Sequence, residues 1–161
     1  MATSADADHV LAILDEAAAW LTARGIRQWP ERWQQPWILP AIDRGETWLA
    51  LSEHTPFGTM TLSWSDPAWP EPHGDAGYVH QLAVRRVASG LGSHILAWAA
   101  QKVIGAGRRR LRLDCAASNH ELRRYYEARG FVHCGDVESC SVIQCLEAGD
   151  PLSSLYERVL A

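Results

Sequence analysis

A chain of 161 residues has the length of one domain. With 47% hydrophobic and 21% charged residues it has the make-up of a globular protein with a full core, and a net charge of −4 argues against nucleic acid as a partner. The opening MATSADADHV has acids where a secretory leader needs basic residues, and no apolar run nears the roughly 18 residues that span a bilayer. A cytoplasmic protein with no membrane attachment is therefore expected. Cys115, Cys134, Cys140 and Cys145 show neither CxxC nor zinc spacing, which suits reduced core thiols and no bound metal.

Val10, Ile13, Leu14, Ala17 and Leu21 recur at helical spacing, with Asp6 or Asp8 near the N-cap and Gly25-Ile26 as a stop. A second helix is predicted over residues 36–44, ended by Gly45. TWLALSE (47–53) and FGTMTLSW (57–64) read as a hairpin joined through Thr55-Pro56. SDPAWPEPHGD (65–75) is too rich in proline and glycine for regular structure and reads as an exposed loop. GYVHQLAV (77–84) has the pattern of a central strand, and residues 92–104 form a helix with Ile95, Trp98, Ala99 and Val103 on one face. RLRLDCA (110–116) is a further strand. SNHELRRYYEARGF (118–131) is a helix with Ser118 and Glu121 as a capping box and Gly130-Phe131 as a left-handed stop. FVHCGDV (131–137) and CSVIQCLE (140–147) complete the strands. The order α, α, β, β, β, α, β, α, β, β is that of a mixed α/β or α+β layer fold in a single domain over residues 1–161.

A strand that runs through Arg85-Arg86 and Gly90-Leu91-Gly92 straight into a helix raises the question of an anion site. First-turn N–H groups have no partner inside a helix, and glycine both permits left-handed angles and removes the side chain that would block a phosphate. A plain turn explains the glycines equally well. The dinucleotide pattern is excluded because Ile95 stands where a third small residue is needed, and the P-loop's Gly-Lys-Ser/Thr is absent.

YVHQLAV, GLGSHIL and LRLDCAASNHELRRYYEARGF together resemble the GNAT superfamily of acetyl-CoA-dependent N-acetyltransferases. The resemblance is firm over residues 77–134 and fainter before them. It implies a central twisted mixed sheet flanked by helices, and acetyl-CoA as co-substrate. It also implies that the coenzyme pyrophosphate lies on backbone N–H groups of Ser89, Gly90, Leu91, Gly92 and Ser93. The pantetheine arm then pairs with the backbone at Leu82 and Val84, Asn119 touches the coenzyme, and Tyr126 protonates the leaving thiolate. The sequence departs from the family at Val87, where Arg or Gln is usual, in a shortened link from Val84 to Gly90, and in MATSAD, which leaves little room for the usual first strand.

Acetyl transfer to an amine needs a neutral amine, a polarised thioester and a proton for the thiolate. An alkyl ammonium titrates near the lysine value, roughly 10.4, so a base must take its proton. His80 is the candidate base, read as sharing a strand face with Leu82 and Val84, with Tyr78 relaying through water; the plain alternative is a half-buried histidine satisfied by the backbone. A strand N–H near Ala83 or Val84 polarises the carbonyl. Tyr126, otherwise a core residue like Leu122, supplies the acid, and Tyr125 reads as structural. No cysteine stands where an acetyl-enzyme would form, which favours direct attack in a ternary complex. Trp29, Trp33 and Trp37, with Trp64 and Trp69 around Asp66, are candidates for the acceptor border or for packing. The expected function is acetylation of a primary amine of a small molecule or peptide. The alternatives are a non-catalytic acyl-CoA-binding regulatory module, or a scaffold that binds no nucleotide. An exposed sheet edge is compatible with a homodimer.

Overall fold

The computed structural model describes residues 1–69, 73–138 and 151–161. Helices α1 (Ala7–Thr22) and α2 (Gln35–Asp43) lead into strands β1 (Thr47–Ser52), β2 (Thr55–Ser63) and β3 (Ala76–Val84). Helix α3 (Leu91–Gly105), strand β4 (Arg110–Ala116), helix α4 (His120–Glu127) and strands β5 (Val132–Glu138) and β6 (Leu152–Val159) follow. The strands form one sheet in the order β1-β2-β3-β4-β6-β5, antiparallel except between β3 and β4. No helix among the described residues is long and apolar enough to cross a membrane.

The sheet has a core on each face. On one, α3 and α4 cover Met60, Leu62, Val79, Leu111 and Leu113, with Leu96, Ala99 and Val103 contributed by α3. On the other, Val10, Ile13 and Leu14 of α1 and Ile38 and Ile42 of α2 pack toward Ala83. Each fully buried aliphatic side chain here contributes about 1.5–3 kcal/mol. All four α-helices stop the same way. Gly25, Gly45, Gly107 and Gly130 take left-handed angles, and the next residue's N–H reaches back to a carbonyl in the last turn, as Ile26 does to Leu21 (3.0 Å).

Four expectations change. The hairpin turns at Glu53-His54, with φ of 48° and 68°, so Thr55-Pro56 belongs to β2; a turn of this type usually shows Asn-Gly, and that signal is missing. The loop after β2 is not wholly exposed, because Trp69 is buried edge-on against Tyr78 and beneath Arg112, and Asp66 is buried as well. The cap of α4 is Asn119, whose Oδ1 accepts from Leu122 N (3.1 Å), not Ser118. Glu121 is thereby free to pair with Arg24 (2.6 Å). Finally, β6 runs through LSSLYERV, a segment not foreseen as a strand. The expected strand at 140–147, with Cys140 and Cys145, lies outside the described residues. At the N-terminus Ala2 N donates to Thr47 O (2.8 Å) on the edge strand β1.

Candidate active site

The site begins where two strands part. β3 and β4 are paired only from Ala76–Arg110 to Val79–Leu113. Beyond that, β3 stays paired with β2 alone, Ala83 opposite Thr59 and Val84 opposite Gly58. The cause is a bulge: Gln81 has φ of +52°, and the register steps from Thr61–His80 to Thr59–Ala83, so Gln81 and Leu82 together face Met60. The bulge reverses the alternation along β3. Leu82 and Val84 therefore join the α3 side with Val79, whereas Tyr78 belongs to the cluster of the opposite face and Ala83 packs toward α1. His80 and Leu82 consequently do not share a face, as strict period-two reading required.

The split opens a cleft of about 390 Å³. Its floor is Leu82, Ala83 and Val84. One wall is Ser89, Gly90 and Gly92, and another is Asn119, Leu122, Tyr125 and Tyr126. Gly90 caps α3 with φ of +99°, an angle that side-chain-bearing residues rarely adopt. Gly92 has a different job: a Cβ there would lie 2.9 Å from the Tyr125 hydroxyl. The first-turn N–H groups of Leu91 and Gly92 have no carbonyl within the helix to reach, so the helix end presents open donors. Leu91 and Ser93 fall outside the cleft wall. The Leu91 side chain packs toward the core, and Ser93 spends both its N–H (3.3 Å) and its hydroxyl (2.8 Å) on the Gly90 carbonyl. Tyr125, read from sequence as structural, lines the cleft beneath Arg129.

Of the two arginines before the turn, Arg85 is committed to Glu16 (2.9 Å) and to the Pro56 carbonyl (3.0 Å). Arg86 lays its guanidinium over the Trp20 ring (4.3 Å) at the cleft rim, while its N–H donates to Glu16 (2.8 Å). Glu16 thus ties the start of the turn to α1. Asn119 holds the other side: it caps α4 and its Nδ2 donates to Gln28 Oε1 (2.8 Å), both residues being buried in the cleft wall.

Tyr126 is 5% exposed, packed among Tyr125, Phe131 and Tyr156. Burial pushes its phenol well above the usual tyrosine range, with smaller contributions in the same direction from Cys115 and Asp114. It therefore keeps its proton at neutral pH. Tyr126 also lines a second cavity of about 180 Å³, which shares Gln28, Trp29 and Leu82 with the cleft and adds Trp33, His80, Asp114 and Cys115.

His80 Nε2 lies 3.2 Å from Ser63 Oγ and 3.8 Å from an Asp66 carboxylate oxygen. Ligand atoms of Asp66, His80 and Asp114 all lie within 4.8 Å of one another, the one grouping among the described residues close enough to hold a metal ion. Burial raises the Asp114 carboxyl above the usual carboxylate range; His80 and the Ser153 hydroxyl oppose this, and Asp66 adds to it. Asp114 and Gln28 were not singled out from sequence: Gln28 sits in no motif, and Asp114 lies within LRLDCAASNHELRRYYEARGF, where an acid inside the apolar run RLRLDCA was the available signal. Cys115 does reach the second cavity, but burial pushes its thiol up to about 12, so it is held as the unreactive thiol. Tyr78 lines neither cavity. It is fully buried, and its hydroxyl accepts from Arg112 (3.2 Å), so it offers no water-borne relay. Trp29 and Trp33 border the second cavity, and Trp37, Trp64 and Trp69 do not.

The sequence model of the Acetyltransferase (GNAT) family matches residues 13–131. A Bacillus subtilis (strain 168) protein described as the uncharacterized N-acetyltransferase YesJ is 28% identical over 141 residues, covering 81% of this chain and 78% of its own. A GNAT-family acetyltransferase of Listeria monocytogenes 4b F2365 superposes with a TM-score of 0.75 at 25% identity, over 99% of this chain and 92% of its own. The N-acetylglutamate synthase of Neisseria gonorrhoeae, solved with coenzyme A and N-acetyl-glutamate, gives 0.68 at 21% identity over 99% of this chain. This chain spans about a third (34%) of that synthase, so the likeness is one of fold. The chain belongs to the GNAT family of acetyltransferases.

Proposed function

We propose that the chain is an acetyl-CoA-dependent N-acetyltransferase that acts on a primary amine by direct attack in a ternary complex. The observation that carries this reading is the position of Tyr126, a buried and protonated phenol in the wall common to the cleft and the second cavity. In this reading the edge of β3 left unpaired by β4 at Leu82 and Val84 takes the pantetheine arm, and the backbone N–H groups of Ser89, Gly90, Leu91 and Gly92 take the pyrophosphate. Ser93 contributes through its hold on Gly90, and Asn119 through its grip on Gln28.

The amine enters the second cavity beside His80, which accepts its proton. The nitrogen lone pair attacks the thioester carbonyl carbon while an N–H near Ala83 or Val84 steadies the developing oxyanion. The C–S bond breaks, and Tyr126 gives its proton to the sulfur. The amide and the free thiol leave, and solvent carries the proton from His80 back to Tyr126. With Cys115 held as a thiol, direct attack is favoured over an acetyl-enzyme.

A non-catalytic acyl-CoA-binding module is the rival, and one observation favours it: Val87, where the family carries Arg or Gln, is 83% exposed and adds nothing to the turn. Thiol release from acetyl-CoA with a panel of primary amines, with mass identification of the amide, separates the two. Tyr126→Phe is expected to lower kcat about 100-fold while acetyl-CoA still binds. An unchanged kcat removes the acid role, and binding without turnover of any amine gives the rival.

A further inference from the structure

The second cavity has a charge and a size that narrow its guest. Two carboxylates, Asp114 and Asp66, lie with His80 inside a 4.8 Å cluster, and no lysine or arginine lines the cavity. Two indoles, Trp29 and Trp33, form its apolar side, faces that favour a cation. Trp33 is 5% exposed, and its Nε1–H has no hydrogen-bond partner among the described residues. At about 180 Å³ the cavity is less than half the volume of the cleft, which suits a compact guest.

Resting on the acetyltransferase reading above, we propose that this cavity takes a compact primary ammonium whose neighbouring oxygen is neutral, an amino alcohol or amino amide, and refuses amino acids with a free carboxylate. A guest carboxylate would stand against Asp114, with Asp66 in the same cluster and no lysine or arginine in the lining to receive it, and like-charge juxtaposition of this kind selects against a ligand.

Valinol and valine test this directly, because they share a branched side chain and a primary amine and differ in whether the adjacent carbon bears a hydroxyl or a carboxylate. Acetyl-CoA-dependent kcat/KM for valinol is expected to exceed that for valine at least about tenfold, equivalent to about 1.4 kcal/mol. Asp114→Asn is expected to shrink that ratio, mainly by raising KM for valinol. Should Asp114→Asn fail to fold, Asp66→Asn replaces it. Calorimetry of the wild-type protein with coenzyme A then reads the same preference without turnover, with heat from valinol and none from valine.

Equal or better use of valine, a ratio unmoved by both variants, or refusal of both compounds by a protein that acetylates some bulkier amine overturns the proposal. A valinol rate abolished by EDTA and restored by zinc gives the Asp66–His80–Asp114 cluster to a metal and overturns it too. Failure to bind acetyl-CoA at all is a different result, since it removes the acetyltransferase reading itself.

Discussion

Asp114 carries an electrostatic cost that pH can reveal. Burial holds its carboxyl above the ordinary aspartate value of 3.8, so between the unfolded and folded titrations the native protein binds more protons than the unfolded chain. Stability is then lost as pH rises through that window, and Asp114→Asn removes the loss. The variant is expected to melt higher than the parent at pH 7, by roughly 2–4 °C for each kcal/mol relieved. The gap should close below the unfolded value of 3.8. A melting difference that is constant from pH 3 to pH 8 contradicts the assignment. The thiols give a second residue-scale test. Cys115 is buried with its thiol pushed up to about 12, whereas Cys134 is exposed on β5. Iodoacetamide at pH 8, followed by peptide mass mapping, should label Cys134 and spare Cys115 until the protein is unfolded. Native labelling of Cys115 would reopen the acetyl-enzyme route.

At the scale of elements, the two glycines after β3 do different work, and substitution separates them from glycines that only pack. A methyl at Gly92 meets the Tyr125 hydroxyl at 2.9 Å, the far end of a side chain that can swing. Gly92→Ala should therefore leave the melting temperature nearly unchanged and weaken acetyl-CoA binding by crowding the cleft. A methyl at Gly77 meets Val103 Cγ2 in the core, and Gly77→Ala should cost about 1–3 kcal/mol in stability. Unchanged coenzyme affinity in Gly92→Ala would remove that helix end from the site. Helices α1 to α4, β3 and β4 were legible in the sequence because their apolar spacing and glycine stops agree with the fold. The bulge at Gln81 was not, since a glutamine at φ +52° leaves no composition signal and only pairing with β2 reveals it. That one residue explains why His80 was assigned to the wrong face. Asn119 as a cap in place of Ser118 is a shift of one position, which capping patterns alone resolve poorly.

For the molecule as a whole, the candidate site is a consequence of topology. The paired halves of β3 and β4 hold the sheet together, Arg112 and Glu157 (2.7 Å) bind β4 to β6, and the unpaired half of β3 leaves a strand edge open. Motifs in the sequence pointed to the cleft wall at Gly90, Gly92, Asn119 and Tyr126. They could not point to Gln28, Asp114 or the second cavity, which come together only when the α1–α2 connection folds over the split and the Trp33 backbone N–H donates to Asp15 (2.7 Å). The most direct measurement of the central claim is calorimetric titration of the protein with acetyl-CoA, with NAD⁺ as the control nucleotide. Saturable one-to-one binding of acetyl-CoA and none of NAD⁺ is the predicted result. No heat with acetyl-CoA at high micromolar concentration would mean that the split and its glycine-capped helix hold no coenzyme, and the glycines would be turn residues alone.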